Sequence, residues 1–211
     1  MAGFSLVELL TVLTIISILS AATIPAMQSV LQSTKITQGG QILTEQINLA
    51  RQIASARNTT VQVRLIKLAQ VQNAAATGYN AVQLWGAPSG STQSVALGQM
   101  AILPAAVVIS EDTSNYSKLL ASGTGAVVTS STMSVPAGTA SYIYFSVMPS
   151  GVIPVNNVTT AETTEMTGAY LSVVGSSYGS SSAAPGAVGA PQNYLVVQMN
   201  PHTGSTLVYR P

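Results

Sequence analysis

FSLVELLTVLTIISILSAATIPAM occupies residues 4–27, and it decides how the rest of the chain is read. It carries one charge, Glu8, and otherwise only apolar residues, hydroxyl residues and one proline. At 1.5 Å per residue, about 20 such residues cross a hydrocarbon core about 30 Å thick. A buried soluble helix is seldom so uniformly apolar. A cleaved secretory signal needs basic residues before the run and a small-residue cleavage site after it. No Lys or Arg precedes this run, and helical patterning continues past it. A membrane-inserted helix over 4–27 is therefore the expectation. Within it Glu8 is costly, about 2.5–3.5 kcal/mol on insertion scales, and the nearest basic residue is Lys35. Its partner must come from elsewhere, or the carboxylate must lie at the interface. Pro25 removes an amide donor and clashes one turn back, which predicts a kink where the run ends. Thr23, Ser20 and Ser17 are placed to soften it through backbone carbonyls.

Beyond Met27 the apolar residues narrow to a stripe. Ile36, Leu43, Ile47, Ala50 and Ala54 recur at helical spacing, with Ile42, Leu49 and Ile53 alongside. This predicts an amphipathic continuation over 28–58, ending near Arg57 before Asn58-Thr59-Thr60. Gly39-Gly40 interrupt it and mark a bend or a close helix approach. Residues 59–211 read as an antiparallel β domain. Strands are expected at Val61–Leu65, Tyr79–Trp85, Ala105–Ile109, Tyr142–Met148, Tyr170–Val174, Tyr194–Met199 and Thr206–Tyr209. Pro149-Ser150-Gly151 and Asn200-Pro201-His202-Thr203-Gly204 are turn signals. The low-complexity stretch 175–191 reads as a mobile surface loop. The fold class is α+β, a long N-terminal helix packed on an antiparallel sheet.

Composition narrows the function. Only 6% of the 211 residues are charged, against about 25% in soluble domains, and the net charge is +1. A nucleic-acid binder built on a basic surface is disfavoured. Arg51, Arg57, Arg64 and Lys67 gather near the helix-to-strand junction. They read as helix C-terminal charge and an outward strand face before they read as a DNA patch. There is no cysteine, so no disulfide and no thiolate site. His202 and Asp112 are the single histidine and aspartate, too few for a transition-metal site, and a Ser-His-Asp triad is defined by geometry rather than inventory. Glu111, Asp112 and Asn115, or Glu162 and Glu165, lack the spacing of a calcium loop. Asn58, Asn115 and Asn157 fall in glycosylation triplets that so much Ser and Thr makes common by chance. The expectation is no catalytic residue, no cofactor and no metal.

Gly3-Phe4-Ser5-Leu6-Val7-Glu8-Leu9-Leu10 resembles the cleavage and assembly motif of type IV prepilins and type II secretion pseudopilins. The resemblance implies a leader at 1–3 and a cut between Gly3 and Phe4 by prepilin peptidase. It also implies methylation of the new Phe4 amine, and pairing of Glu8 with such an amine during filament assembly. Pro25 sits where many pilin helices kink or melt. More weakly, Leu49–Ala54 with Val61–Leu65, and the turn segments Tyr144–Gly151 and Met199–Val208, resemble minor pseudopilins of the GspH/FimT type. The implied protein is a structural filament subunit and not an enzyme. It would lie in the bacterial inner membrane, with its domain on the periplasmic side, before joining a periplasmic pseudopilus or cell-surface filament. Its partners would be the peptidase, other pilin subunits and membrane lipid. The alternatives are a major type IV pilus subunit, or a membrane-tethered periplasmic binding module that does not polymerise.

Overall fold

The computed structural model describes residues 5–68, 77–87, 93–121, 127–135, 138–154 and 169–211, without the side chains of 22–26, 28 and 127–130. The chain is α+β. One helix, α1 (Leu6–Arg57), precedes ten strands that pair only antiparallel among the described residues. Residues 1–34 and 35–211 form two units.

In the first unit, α1 opens at Ser5 and runs through the apolar stretch. Every described large apolar side chain from Leu6 to Leu19 is exposed, from 49% at Val12 to 79% at Leu6. The hydroxyls between them turn inward to the helix backbone. Thr11 donates to the Glu8 carbonyl and Thr14 to the Thr11 carbonyl, both at 2.8 Å, and Ser17 donates to the Leu13 carbonyl at 2.8 Å. Back-bonding of this kind leaves a surface that is apolar in effect as well as in composition. No helix among the described residues is long and apolar enough to cross a membrane. The expected span 4–27 contains Phe4 and the side chains of 22–26, which lie outside them. Its described part, 5–21, is shorter than the roughly 20 residues a bilayer needs.

In the second unit the helical stripe is the core. Ile36, Leu43, Ile47, Ala50 and Ala54 are fully buried, Ile42 and Ile53 pack against them, and Leu49 is exposed. The helix ends as Asn58 predicts. With φ of 49°, Asn58 donates to the Ser55 carbonyl at 3.4 Å and Thr59 to the Ala54 carbonyl at 3.1 Å, a Schellman closure. Six strands form the larger sheet: β1 (Val61–Lys67), β2 (Ala81–Gly86), β3 (Val95–Ala96), β4 (Ala101–Ile102), β6 (Val127–Val135) and β7 (Gly138–Val147). Their order is β3-β2-β1-β7-β6, with β4 also on β2. The smaller sheet runs β10 (Thr206–Tyr209), β9 (Leu195–Met199), β8 (Tyr170–Gly175), β5 (Val107–Ile109). A bridge from Tyr79 to Ile109 joins the two sheets. Val61, Val63, Leu65, Phe145 and Val147 from one sheet and Val107, Leu171, Val173, Val197 and Met199 from the other share one core with the stripe.

All seven expected strands are present, six with shifted ends and Thr206–Tyr209 with its bounds unchanged; Tyr79 contributes its bridge ahead of β2. The patterning did not reveal β3, β4 or β6. β3 and β4 are two residues each, and β6 (VVTSSTMSV) is too rich in Ser and Thr to show an apolar face. The stretch 175–191, expected as a surface loop, lies outside the strands after Gly175 and is largely exposed over 182–189. It begins as the end of β8 and then folds over Tyr116, which is fully buried. The Tyr116 hydroxyl donates to the Ala183 carbonyl at 2.8 Å, Asn115 Nδ2 to the Ser182 carbonyl at 3.0 Å, and the Glu111 amide to the Gly179 carbonyl at 2.8 Å. A buried aromatic under the segment gives it something to hold, which composition alone does not reveal.

Gly39 and Gly40 mark a close approach. A methyl on Gly39 would lie 2.9 Å from Val107 Cγ1, and one on Gly40 would lie 2.5 Å from Leu195 Cδ2. Gly40→Val should therefore lower stability by about 1–3 kcal/mol through overpacking. Urea unfolding checks this; an unchanged midpoint would show that Leu195 yields without cost.

Candidate functional site

The sequence points to the start of α1. Gly3 and Phe4 lie outside the described residues, as does the side chain of Pro25. Glu8 is described, and it is exposed. The Ser5 amide donates to Glu8 Oε2 at 3.4 Å. Ser5 stands at the N-cap and Glu8 three residues on, so Ser5-Leu6-Val7-Glu8 has the spacing of a capping box. The pattern was legible as S-x-x-E ahead of an apolar run. A reading of Glu8 as a lone charge in need of an ionic partner overlooks this local one. Among the described residues Glu8 has no ion pair; the single ion pair there is Lys67 with Glu111 at 2.6 Å. A carboxylate at a helix N-terminus is favoured by the unpaired amides and the macrodipole. The local geometry thus directs Glu8 at the Ser5 amide.

The four basic residues near the junction do not make one patch. Arg64 alternates with the core residues Val63 and Leu65, so it faces away from the helix. Its guanidinium lies over two rings, 3.9 Å from the centre of Trp85 and 4.5 Å from that of Tyr142. Gln62 Oε1 accepts from its Nε and Nη2 at 3.2 and 3.0 Å. Burial holds its pKa below the ordinary arginine value, against the opposing influence of Tyr142 and Tyr144. Lys67 instead pairs with Glu111 and lies over Tyr79, 5.3 Å from the ring centre. Arg57 closes α1 and Arg51 lies one to two turns earlier.

The residues that composition offered for chemistry have ordinary local partners. Asp112 accepts from the Ser114 and Asn115 amides at 3.2 and 2.9 Å. The His202 amide donates to Asn200 Oδ1 at 2.9 Å within the β9–β10 turn. Glu162, Glu165 and Asn157 lie outside the described residues. Among the described residues no group of three or more His, Asp or Glu is placed to hold a metal ion. No family model, curated protein or solved structure matches the chain.

The junction of the two sheets has a predictable pH response. Burial, with the Glu111 charge adding to it, pushes the Tyr79 phenol up to about 12 from 10.0. Tyr116, Tyr170 and Tyr194 are raised in the same direction, chiefly by burial. A phenol whose folded pKa lies above its unfolded one stabilises the fold fully below the unfolded value and loses that contribution as pH rises through the folded value. For Tyr79 the loss falls between pH 10.0 and about 12. Tyr79→Phe should show a smaller fall in Tm across that window than the parent; equal falls would remove Tyr79 as a source.

Proposed function

We propose that the chain is a pilin-like structural subunit that assembles through α1 into a type II secretion pseudopilus or type IV pilus, as a minor pseudopilin. The observation that carries this reading is the start of α1. A Gly-Phe-Ser-x-x-Glu motif opens a helix whose described apolar side chains from Leu6 to Leu19 are all exposed. A helix apolar on every side needs a cover that water does not provide. Inner-membrane lipid supplies one before assembly, and neighbouring helices of the same kind supply another within a filament. Prepilin peptidase frees the Phe4 amine and the amine is methylated. Glu8, already turned towards the amide end of the helix, meets such a cation in low dielectric. Removing one partner from a buried pair costs about 3–5 kcal/mol, a hundredfold or more in incorporation. No catalytic step, cofactor or metal is part of the proposal.

One observation favours a second reading. The capping bond from Ser5 gives Glu8 a role that needs no other chain, as in a membrane-tethered module whose helix is only an anchor. Glu8→Gln separates the two, because glutamine keeps a capping acceptor and loses the charge. Charge pairing predicts that Glu8→Gln and Glu8→Ala both insert normally and both fail to enter sheared filaments. Normal incorporation of Glu8→Gln would overturn the pairing. The filament reading also predicts that the assembled protein lacks residues 1–3 and carries one added methyl group, by intact mass; assembled material retaining Met1 would contradict it.

A further inference from the structure

The second turn region of the sheets closes over the side chain of Arg51. Gly151 ends the Pro149-Ser150-Gly151 turn, its amide donating to the Met148 carbonyl at 2.8 Å. Gly204 closes the β9–β10 turn, its amide donating to the Asn200 carbonyl at 2.7 Å. The turns meet: the Ile153 amide donates to the Pro201 carbonyl at 2.9 Å. A methyl on Gly204, at φ of 63°, would lie 2.3 Å from the Gly151 carbonyl oxygen and 3.0 Å from Arg51 Cδ and Nε. The two turns therefore pack against the arginine stem. Arg51 Nε is buried there without a hydrogen-bond partner, and among the described residues Arg51 has no ion pair.

Beside it is an open cavity of about 380 Å³, lined by Asn48, Arg51, Gln52 and Ser55 of α1 and by residues 149–151. Its lining holds one cation, two side-chain amides and two hydroxyls, and no acid. We infer that this cavity is a receptor for a carboxylate group. The planar guanidinium fork matches a carboxylate in two parallel hydrogen bonds, and neighbouring amides and hydroxyls can complete its lone pairs. A single arginine balances one negative charge, which favours a carboxylate over a phosphate dianion. The group is either free in solution or borne by an acidic side chain of another polypeptide. Glu45, exposed on α1 without an ion pair among the described residues, makes a second copy one such source. This inference stands independently of filament assembly.

The test uses the full chain in detergent micelles, following the Arg51 Nε–H and the Asn48 and Gln52 side-chain amides by nitrogen-15 NMR during addition of acetate. A saturable shift at these groups is expected, with half-saturation of about 10–100 mM. Arg51→Lys should weaken it about tenfold by removing the fork. Should Arg51→Lys fail to fold, Gln52→Glu places a carboxylate at the rim and should abolish the response to acetate in a folded protein. Shifts that grow with protein concentration without acetate, and vanish in Glu45→Gln, assign the carboxylate to a second copy; acetate response alone assigns it to a free ligand. A linear, non-saturating response to acetate, or a saturable one unchanged in Gln52→Glu, would overturn the receptor.

Discussion

The fold depends on how closely α1 can lie against its sheets. The stripe that makes the contact is built from Ile36, Gly39, Gly40, Leu43, Ile47, Ala50 and Ala54, four of them with no side chain beyond a methyl group. Small residues let the helix backbone come within reach of Val107, Val173 and Leu195 on one sheet. The larger members of the stripe fill the space towards Val63, Leu65 and Phe145 on the other. Two glycines in mid-helix cost about 1 kcal/mol each in helix propensity. Packing density at the seam offsets that cost, so both sheets share one core with a single helix.

The same helix contains two solvation problems with different solutions. From Lys35 onward its apolar stripe is covered within the chain, with Leu49 outside the stripe and exposed. From Leu6 to Leu19 they are not, and the hydroxyls between them bond their own backbone. Glu8 is the exception on this surface, and its orientation towards the Ser5 amide is a local consequence of helix capping. Capping and intermolecular pairing are compatible, because both need the carboxylate at the amino-terminal end of the helix. Under the proposed function, the bond from Ser5 holds the acid at the helix end where the pairing is proposed.

Much of this was legible in the sequence for a plain physical reason. Periodicity reports burial when burial is one-sided, as along the stripe 36–54. The Asn58 stop was legible because asparagine tolerates the left-handed region that a Schellman closure demands. What escaped was set by distant neighbours. The Ser- and Thr-rich β6 is a strand because β7 offers it a ladder. The segment after Gly175 bonds to Tyr116, 67 positions before its partner Ala183. Arg51 and Gly204 are 153 positions apart, and no local pattern announces that one clasps the other.

The stacking of Arg64 has a bearing on how the molecule can be watched. Trp85 is the single tryptophan, and a guanidinium rests on its ring at 3.9 Å, on the face of the larger sheet turned away from the helix. Emission excited selectively from tryptophan, apart from the eight tyrosines, is therefore the voice of one location. It follows the integrity of β1, β2 and β7.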